Sequence, residues 1–231
     1  MLSLNQLIAQ HGYLLVLDAA SARVQIGLLR PAQPAIWHSA ETDAGLGLFT
    51  GVEACLADAA ASMDDIRAYV FCEGPGSGLG IRSVAMAVRT WQTIGVRSAP
   101  AYTFQSLPLL AREFALDGRA APCAVISDAR RDTWNCVLVD PQRGIGPLQR
   151  VSSPEIAALP GELWQPLAFR AWALPPRATK NCAYDVAALF SAHAEAAIFS
   201  ATAAPDAFQH AAPDYKKWAA QIHTAPSEPT R

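Results

Sequence analysis

An α/β fold, with mixed β-sheets flanked by helices in two lobes, is what this sequence predicts, and three observations carry that expectation. Apolar runs of strand length give way to helical periodicity and back again from Tyr13 to Leu116. The first three predicted strands follow one another through short links, whereas the later ones are separated by helices, the pattern of a mixed sheet covered by helices. Both halves of the chain also open on an apolar strand that ends in aspartate, at Asp18 and at Asp128, a faint internal duplication.

Tyr13–Ala19 (YLLVLDA) is a continuous apolar run and reads as a central strand. Val24–Arg30 alternates and reads as its hairpin partner across the short link Ala20–Arg23, and Ala35–His38 is a third strand after Pro34. From Leu46 to Met63 the period changes to that of an amphipathic helix, with Leu48, Val52, Cys55 or Leu56, and Ala59 inward. Ala68–Cys72 is a buried strand that runs into the glycine-rich segment Glu73–Gly80. Arg82–Ile94 is a helix with Val84, Ala87, Val88 and Trp91 on one face; Val96–Ala101 reads as a short strand and Phe104–Leu116 as another helix. This is the strand and helix order of a ribonuclease-H-like lobe. In the second half, Ala121–Ser127 and Thr133–Asp140 are strands, and Asp140–Gly144 is a turn by its chemistry. A strand near Pro147–Ser152 precedes a short helix Ser153–Leu159, with Ser153 as N-cap and Pro154 in first position, and Ala183–Ala194 is a helix. Prolines interrupt the pattern between Pro160 and Lys180. The expected division is residues 1–117 for the first lobe, 118–221 for a smaller second lobe, and a polar, disordered tail at 222–231.

Composition narrows the function. Of the 231 residues, 52% are apolar and only 16% charged, a balance that favours a partner covering part of the surface. The net charge of −2 lacks the basic excess of a protein that grips nucleic acid alone, so contact with RNA is expected to be indirect. Five widely spaced cysteines without a CxxC pair read as buried free thiols in a reducing compartment. Met1–Gln10 lacks the features of a signal peptide, and no apolar run approaches the ~20 residues that span a bilayer, so the expectation is a cytoplasmic protein with no membrane role.

The sharpest local feature is the run from Glu73 to Arg82, in which Gly74, Gly76, Gly78 and Gly80 alternate between a strand and a helix N-terminus. Such a loop lets backbone N–H groups approach a phosphate; the structural alternative is a tight turn that seats the helix on the sheet. It is no P-loop, because it ends Gly-Ile-Arg, and no dinucleotide fingerprint, because Ile94–Ala101 carries no acid for a ribose. Nor does Ser77 sit in the G-x-S-x-G of a nucleophile elbow, which leaves a serine hydrolase the weakest reading. No two histidines stand at i, i+4, so a metallopeptidase has no support, and His193 reads as a packed core or rim histidine. Asp18 and Asp128 either hold a magnesium-bound nucleotide at strand ends or cap their own turns.

Four segments, in order, resemble the TsaB (YeaZ) family, also labelled M22 glycoprotease-like. Leu15–Ser21 resembles its first strand and turn, Gly74–Arg82 its GPGSFTGxR signature, Asp128–Arg131 its DAR segment and Pro213–Tyr215 its C-terminal P-x-Y motif. The chain departs from the pattern at Ala19, at Gly78-Leu79 and at Ser83-Val84, which marks a divergent member. The resemblance implies an actin-like ATPase fold in two lobes and a pseudo-enzyme that binds TsaD, the catalytic subunit. With the ATPase TsaE, such a protein supports threonylcarbamoylation of adenosine 37 in tRNA. No cofactor is implied for the chain itself. The partner surface would be the helices Leu46–Met63 and Arg82–Ile94, through Leu46, Phe49, Glu53, Met86 and Arg89, facing TsaD or a second copy in a homodimer. The alternative is an actin-fold ATP-binding phosphotransferase or ATPase that takes ATP or ADP with magnesium, using Asp18, Gly74, Gly76, Ser77, Gly80 and Asp128.

Overall fold

The structure is a computed structural model that describes residues 1–95, 99–116 and 120–210. The motif Pro213–Tyr215, the tail 222–231 and the lobe boundary at 117/118 lie outside the described residues.

A first helix, α1 (Leu4–His11), precedes the sheet. It is held by a reciprocal capping box in which Ser3 and Gln6 satisfy one another's backbone N–H, a signal the sequence reading passed over. The strands β1 (Leu14–Asp18), β2 (Arg23–Leu29) and β3 (Ile36–Glu41) form the antiparallel meander, with Leu17 opposite Ile26 and Ile26 opposite His38. Then come α2 (Ala44–Asp58), β4 (Ala68–Gly74), α3 (Gly78–Ile94), β5 (Ala101–Gln105) and α4 (Ser106–Leu116). Three boundaries move from those expected. Ala60 takes a positive φ of 49° just past the end of α2, and Met63–Asp65 forms a separate 3-10 turn. The helix α3 begins at Gly78, so half of the glycine-rich run is its first turn. Of the strand expected at Val96–Ala101, residues 96–98 lie outside the described residues; the strand observed here is Ala101–Gln105, and Phe104, expected on a helix, is a buried strand residue. Its aromatic and β-branched neighbours Tyr102 and Thr103 suit the pleat better than a helix.

The second half builds β6 (Cys123–Asp128), β7 (Thr133–Asp140), β8 (Gly144–Ile145), β9 (Gln149–Ser152), α5 (Ser153–Ala158), β10 (Glu162–Pro166), β11 (Lys180–Cys182), α6 (Val186–Ala192) and β12 (Ser200–Thr202). The N-cap of α5 is Ser152, not Ser153, in a capping box with Glu155. At the other end of the chain, α6 starts after Asp185, whose carboxylate caps it, so the predicted first turn from Ala183 is extended chain that carries Tyr184.

Both lobes repeat one topology. The first sheet runs β12-β5-β4-β1-β2-β3, with β1 antiparallel to β2 and parallel to β4. The second runs β11-β10-β6-β7, with β8 and β9 both along β7, and β6 is antiparallel to β7 and parallel to β10. With β12 set aside and β8 and β9 taken together as the single position beside β7, the strands of each lobe lie in the order 5-4-1-2-3. The duplication hinted at by two strands ending in aspartate therefore extends to the whole sheet order. The lobes are not separate beads: β12 returns to pair with β5, so the first sheet takes its edge strand from the far end of the chain. One continuous core passes from Leu14, Val16 and Val70 through Leu107, Leu110 and Phe114 of α4 to Val125 and Val137 of the second sheet. A second core fills the opposite face of the first sheet beneath α2 and α3. Among the described residues all five cysteines are free; Cys55, Cys72, Cys123 and Cys136 are buried. No described helix is long and apolar enough to cross a membrane.

Candidate functional site

Of the residues that could hold a nucleotide, Gly76, Ser77 and Gly80 lie against the turn that follows Asp18, and Asp128 lines a cleft with Gly76 and Ser77, but both carboxylates are taken up by other groups of the chain. Asp18 at the end of β1 is wholly buried. Its Oδ1 accepts the backbone N–H of Ala20 at 3.0 Å, and its Oδ2 accepts the Tyr184 hydroxyl at 2.7 Å. Burial pushes the Asp18 carboxyl above the ordinary carboxylate range, against the opposing pull of those hydrogen bonds. Burial, then the Asp18 charge, likewise drives the Tyr184 hydroxyl and the neighbouring Cys72 thiol upward. Tyr184 comes from the loop before α6, so a residue of the second half satisfies an acid of the first. Gln25 reinforces the same seam: its Oε1 accepts the Val186 N–H at 2.9 Å.

The glycine-rich run lies directly on the β1–β2 turn. Ser77 donates its backbone N–H to Ala20 O at 2.7 Å. A Cβ on Gly76 would stand 2.2 Å from Ala20 O, and one on Gly80 the same distance from Ala19 O. These two glycines thus let backbone lie against backbone, and the Ala20 carbonyl takes up the Ser77 N–H. Gly74 lies at the end of β4, with Ile81 the nearest side chain to its missing Cβ. The Ser77 hydroxyl caps α3 by accepting Gly80 N–H at 3.3 Å. Asp128 closes β6 in the other lobe; its Oδ1 accepts Arg130 N–H at 2.5 Å, and its Oδ2 accepts the N–H groups of Trp172 and Ala173 at 2.5 and 2.8 Å. Among the described residues no group of histidine, cysteine or acidic side chains could hold a metal ion. His193, 8% exposed, is a packed histidine whose Nε2 meets Glu113 Oε1 at 2.7 Å.

Between the lobes remains a cleft of about 440 Å³, lined by Gly76–Leu79, Arg82, Ser127–Arg130, Phe169, Arg170 and Trp172. A second cavity of about 440 Å³ adjoins it and shares Gly76, Gly78, Arg82 and Ala129, continuing past Asn135, Arg150 and Phe208 to His210. The sequence reading missed Tyr184, which its helix absorbed, and Arg170 and Trp172, which lie in the proline-interrupted stretch.

The helices α2 and α3 pack side by side on the first sheet and treat their outer residues differently. Leu48, Val52, Val84 and Val88 are buried, whereas Leu46, Phe49 and Met86 are 60%, 52% and 56% exposed. Glu53 and Arg89 are also exposed, and Arg89 Nη2 lies 3.6 Å from Asp206 Oδ2. Phe49 touches Trp91 edge-on, and Trp91 stacks on Tyr69. Beside this face Met63, Ile66, Tyr69, Trp91 and Ile94 line a cavity of about 260 Å³.

A two-lobed α/β protein of the actin-like kind, with its strand-end acid buried and an apolar helical face left open, is the class that this geometry defines. No family model matches the chain, and no curated protein does. Among solved structures, YeaZ from Pseudomonas aeruginosa is similar over 71% of this chain and 86% of its own, with 22% identity and a TM-score of 0.53. A protein described as uncharacterized, with similarity to peptidase YEAZ from Pseudomonas aeruginosa, matches 88% of this chain and 99% of its own, at 21% identity and a TM-score of 0.56. The chain shares the YeaZ fold.

Proposed function

We propose that this chain is a non-catalytic scaffold of the TsaB (YeaZ) type, which binds a TsaD-like catalytic subunit and, with a TsaE-like ATPase, supports threonylcarbamoylation of adenosine 37 in tRNA. The observation that carries the reading is the open apolar face of α2 and α3. Leu46, Phe49 and Met86 are exposed on two helices that pack together and whose inward residues already fill the core, and exposed apolar side chains grouped in this way are the kind a protein partner covers. The buried Asp18, satisfied by Tyr184 and Ala20, supports the non-catalytic half of the reading, since a magnesium site needs carboxylate oxygens free to coordinate. Trp91 behind Phe49 supplies an aromatic anchor of the type that dominates interface energetics.

The test is co-purification with the TsaD-like subunit of the same organism, read by light scattering. A stoichiometric complex is expected, and Phe49→Glu and Met86→Glu should abolish it while the chain stays folded. A folded Met86→Glu protein that still binds would remove the face from the interface. Absence of a complex at concentrations of tens of micromolar, above the dissociation constants of ordinary stable partners, would overturn the scaffold reading itself. A homodimer of the isolated chain that both substitutions disrupt would assign the face to a second copy instead.

A further inference from the structure

We infer that the groove between the lobes binds a segment of single-stranded nucleic acid, with its phosphates on Arg82, Arg130, Arg150 and Arg170 and a base stacked on Trp172. The inference rests on the groove alone and not on the scaffold reading. The chain as a whole is slightly acidic, but its arginines are unevenly placed: these four line the two adjoining cavities, which share Arg82. Among the described residues Arg82, Arg130 and Arg170 make no ion pair, while Arg150 is held in place through Thr133 Oγ1 and Ala129 O. The two acids of the groove are muted. Asp128 accepts three backbone N–H groups, and Glu73 Oε1 accepts Gln105 Nε2 at 2.9 Å.

The aromatic groups decide between ligands. Trp172 lines the cleft and is 62% exposed, with the guanidinium carbons of Arg130 and Arg170 over its ring, 4.9 and 5.5 Å from the centroid. An exposed indole stacked with guanidinium groups that make no ion pair among the described residues becomes a platform for a base when an arginine leaves the ring for a phosphate. At the far end the second cavity is lined by Phe208 and His210, whose rings meet edge to face. Two adjoining cavities that share Arg82, each the size of a small-ligand pocket, suit a strand better than one nucleotide, and aromatic platforms along a cationic groove are how single strands are held without base pairing. Arg130 is presented at a cost: Arg130, Arg131 and Asp132 all adopt left-handed φ of 67°, 51° and 58°, and each non-glycine residue there loses about 1–2 kcal/mol. Asp128, the Thr133 hydroxyl and Ser153 hold this turn by hydrogen bonds to it. Strain held in place in this way concentrates at ligand sites.

The experiment titrates the full chain into a fluorescein-labelled mixed-sequence RNA of about 12 nucleotides, within the site sizes of such grooves, and reads anisotropy and tryptophan fluorescence. Binding is expected, with tryptophan quenching and a slope of log affinity against log salt of about −3, the value for four phosphate contacts on a single strand. Trp172→Ala should weaken binding about tenfold, the size of one lost base stack. Arg130→Glu with Arg170→Glu should lower the salt slope towards about −1. Equal affinity for duplex RNA, displacement by equimolar ATP, or binding indifferent to Trp172→Ala in a protein folded by circular dichroism would each overturn the inference; displacement by ATP would give the groove to a mononucleotide. Because none of these substitutions touches α2 or the outer face of α3, complex formation with the catalytic subunit reports separately on the scaffold reading.

Discussion

The β1–β2 turn and the outer face of α2 and α3 belong to the same lobe, yet each breaks the ordinary rule for its residue types in the opposite sense. The turn buries a carboxylate; the helices expose a leucine, a phenylalanine and a methionine. A buried acid is costly unless its lone pairs are used, and here a tyrosine from the other half of the chain and a backbone N–H use them. Exposed apolar side chains have no such internal remedy. The first exception is therefore explained within the chain, and the second is the one that the proposed partner would explain. Substitutions in the turn should register in stability, and substitutions on the helical face should register in binding.

The largest effect is expected at Gly80. Its missing Cβ would lie 2.2 Å from Ala19 O, and neither the helix nor the turn has a flexible side chain to move aside. Gly80→Ala should cost about 3 kcal/mol or more in chemical denaturation, at the upper end of overpacking penalties. A loss under about 1 kcal/mol would mean that the loop can stand off the turn, and would reopen the space there to a phosphate.

Next is Tyr184→Phe, which removes the hydroxyl but little volume. Leaving Oδ2 of Asp18 without its donor should destabilise the fold by about 1–3 kcal/mol. An unchanged denaturation midpoint would show that the two halves are not joined through this bond.

The pH dependence of Asp18 is a finer test. Its carboxyl is raised in the folded state, so folding favours the protonated form. The stability it confers is present below the unfolded carboxylate value near 3.8 and is lost as pH rises from there towards the raised folded value. Asp18→Asn removes that loss, so the stability difference between variant and parent should move in the variant's favour by up to about 1.4 kcal/mol per pH unit across this window. A difference independent of pH would mean that Asp18 ionises normally.

The helical face was legible in the sequence because periodicity is local: Leu48, Val52, Val84 and Val88 fall inward at helical spacing, and what remains, Leu46, Phe49 and Met86, must face out. The turn was legible only in part. The glycines at Gly76 and Gly80 announce a close approach, but whether phosphate or backbone fills it depends on Ala19 and Ala20, which lie more than fifty residues away. Tyr184 is farther still from Asp18, a separation of 166 residues, and no short-range signal connects them. The strand β12 escaped notice for the same reason, since three residues paired with β5 carry no period of their own. Arg170 and Trp172 were hidden by composition, in a stretch where prolines mask any pattern.

The smallest effect on stability belongs to Met86→Glu, and it is the sharpest test of the contrast. Met86 is 56% exposed, on the face of α3 opposite Val84 and Val88. Glutamate is a good helix former, so its denaturation midpoint should move by less than about 0.5 kcal/mol equivalent. Binding should respond in the other direction, because an uncompensated carboxylate placed against an apolar partner surface must be desolvated on association. A substitution silent in denaturation and decisive in light scattering would separate the two kinds of exception within one lobe. A large loss of stability would show that Met86 packs within the chain, and the case for an external partner would then rest on Leu46 and Phe49.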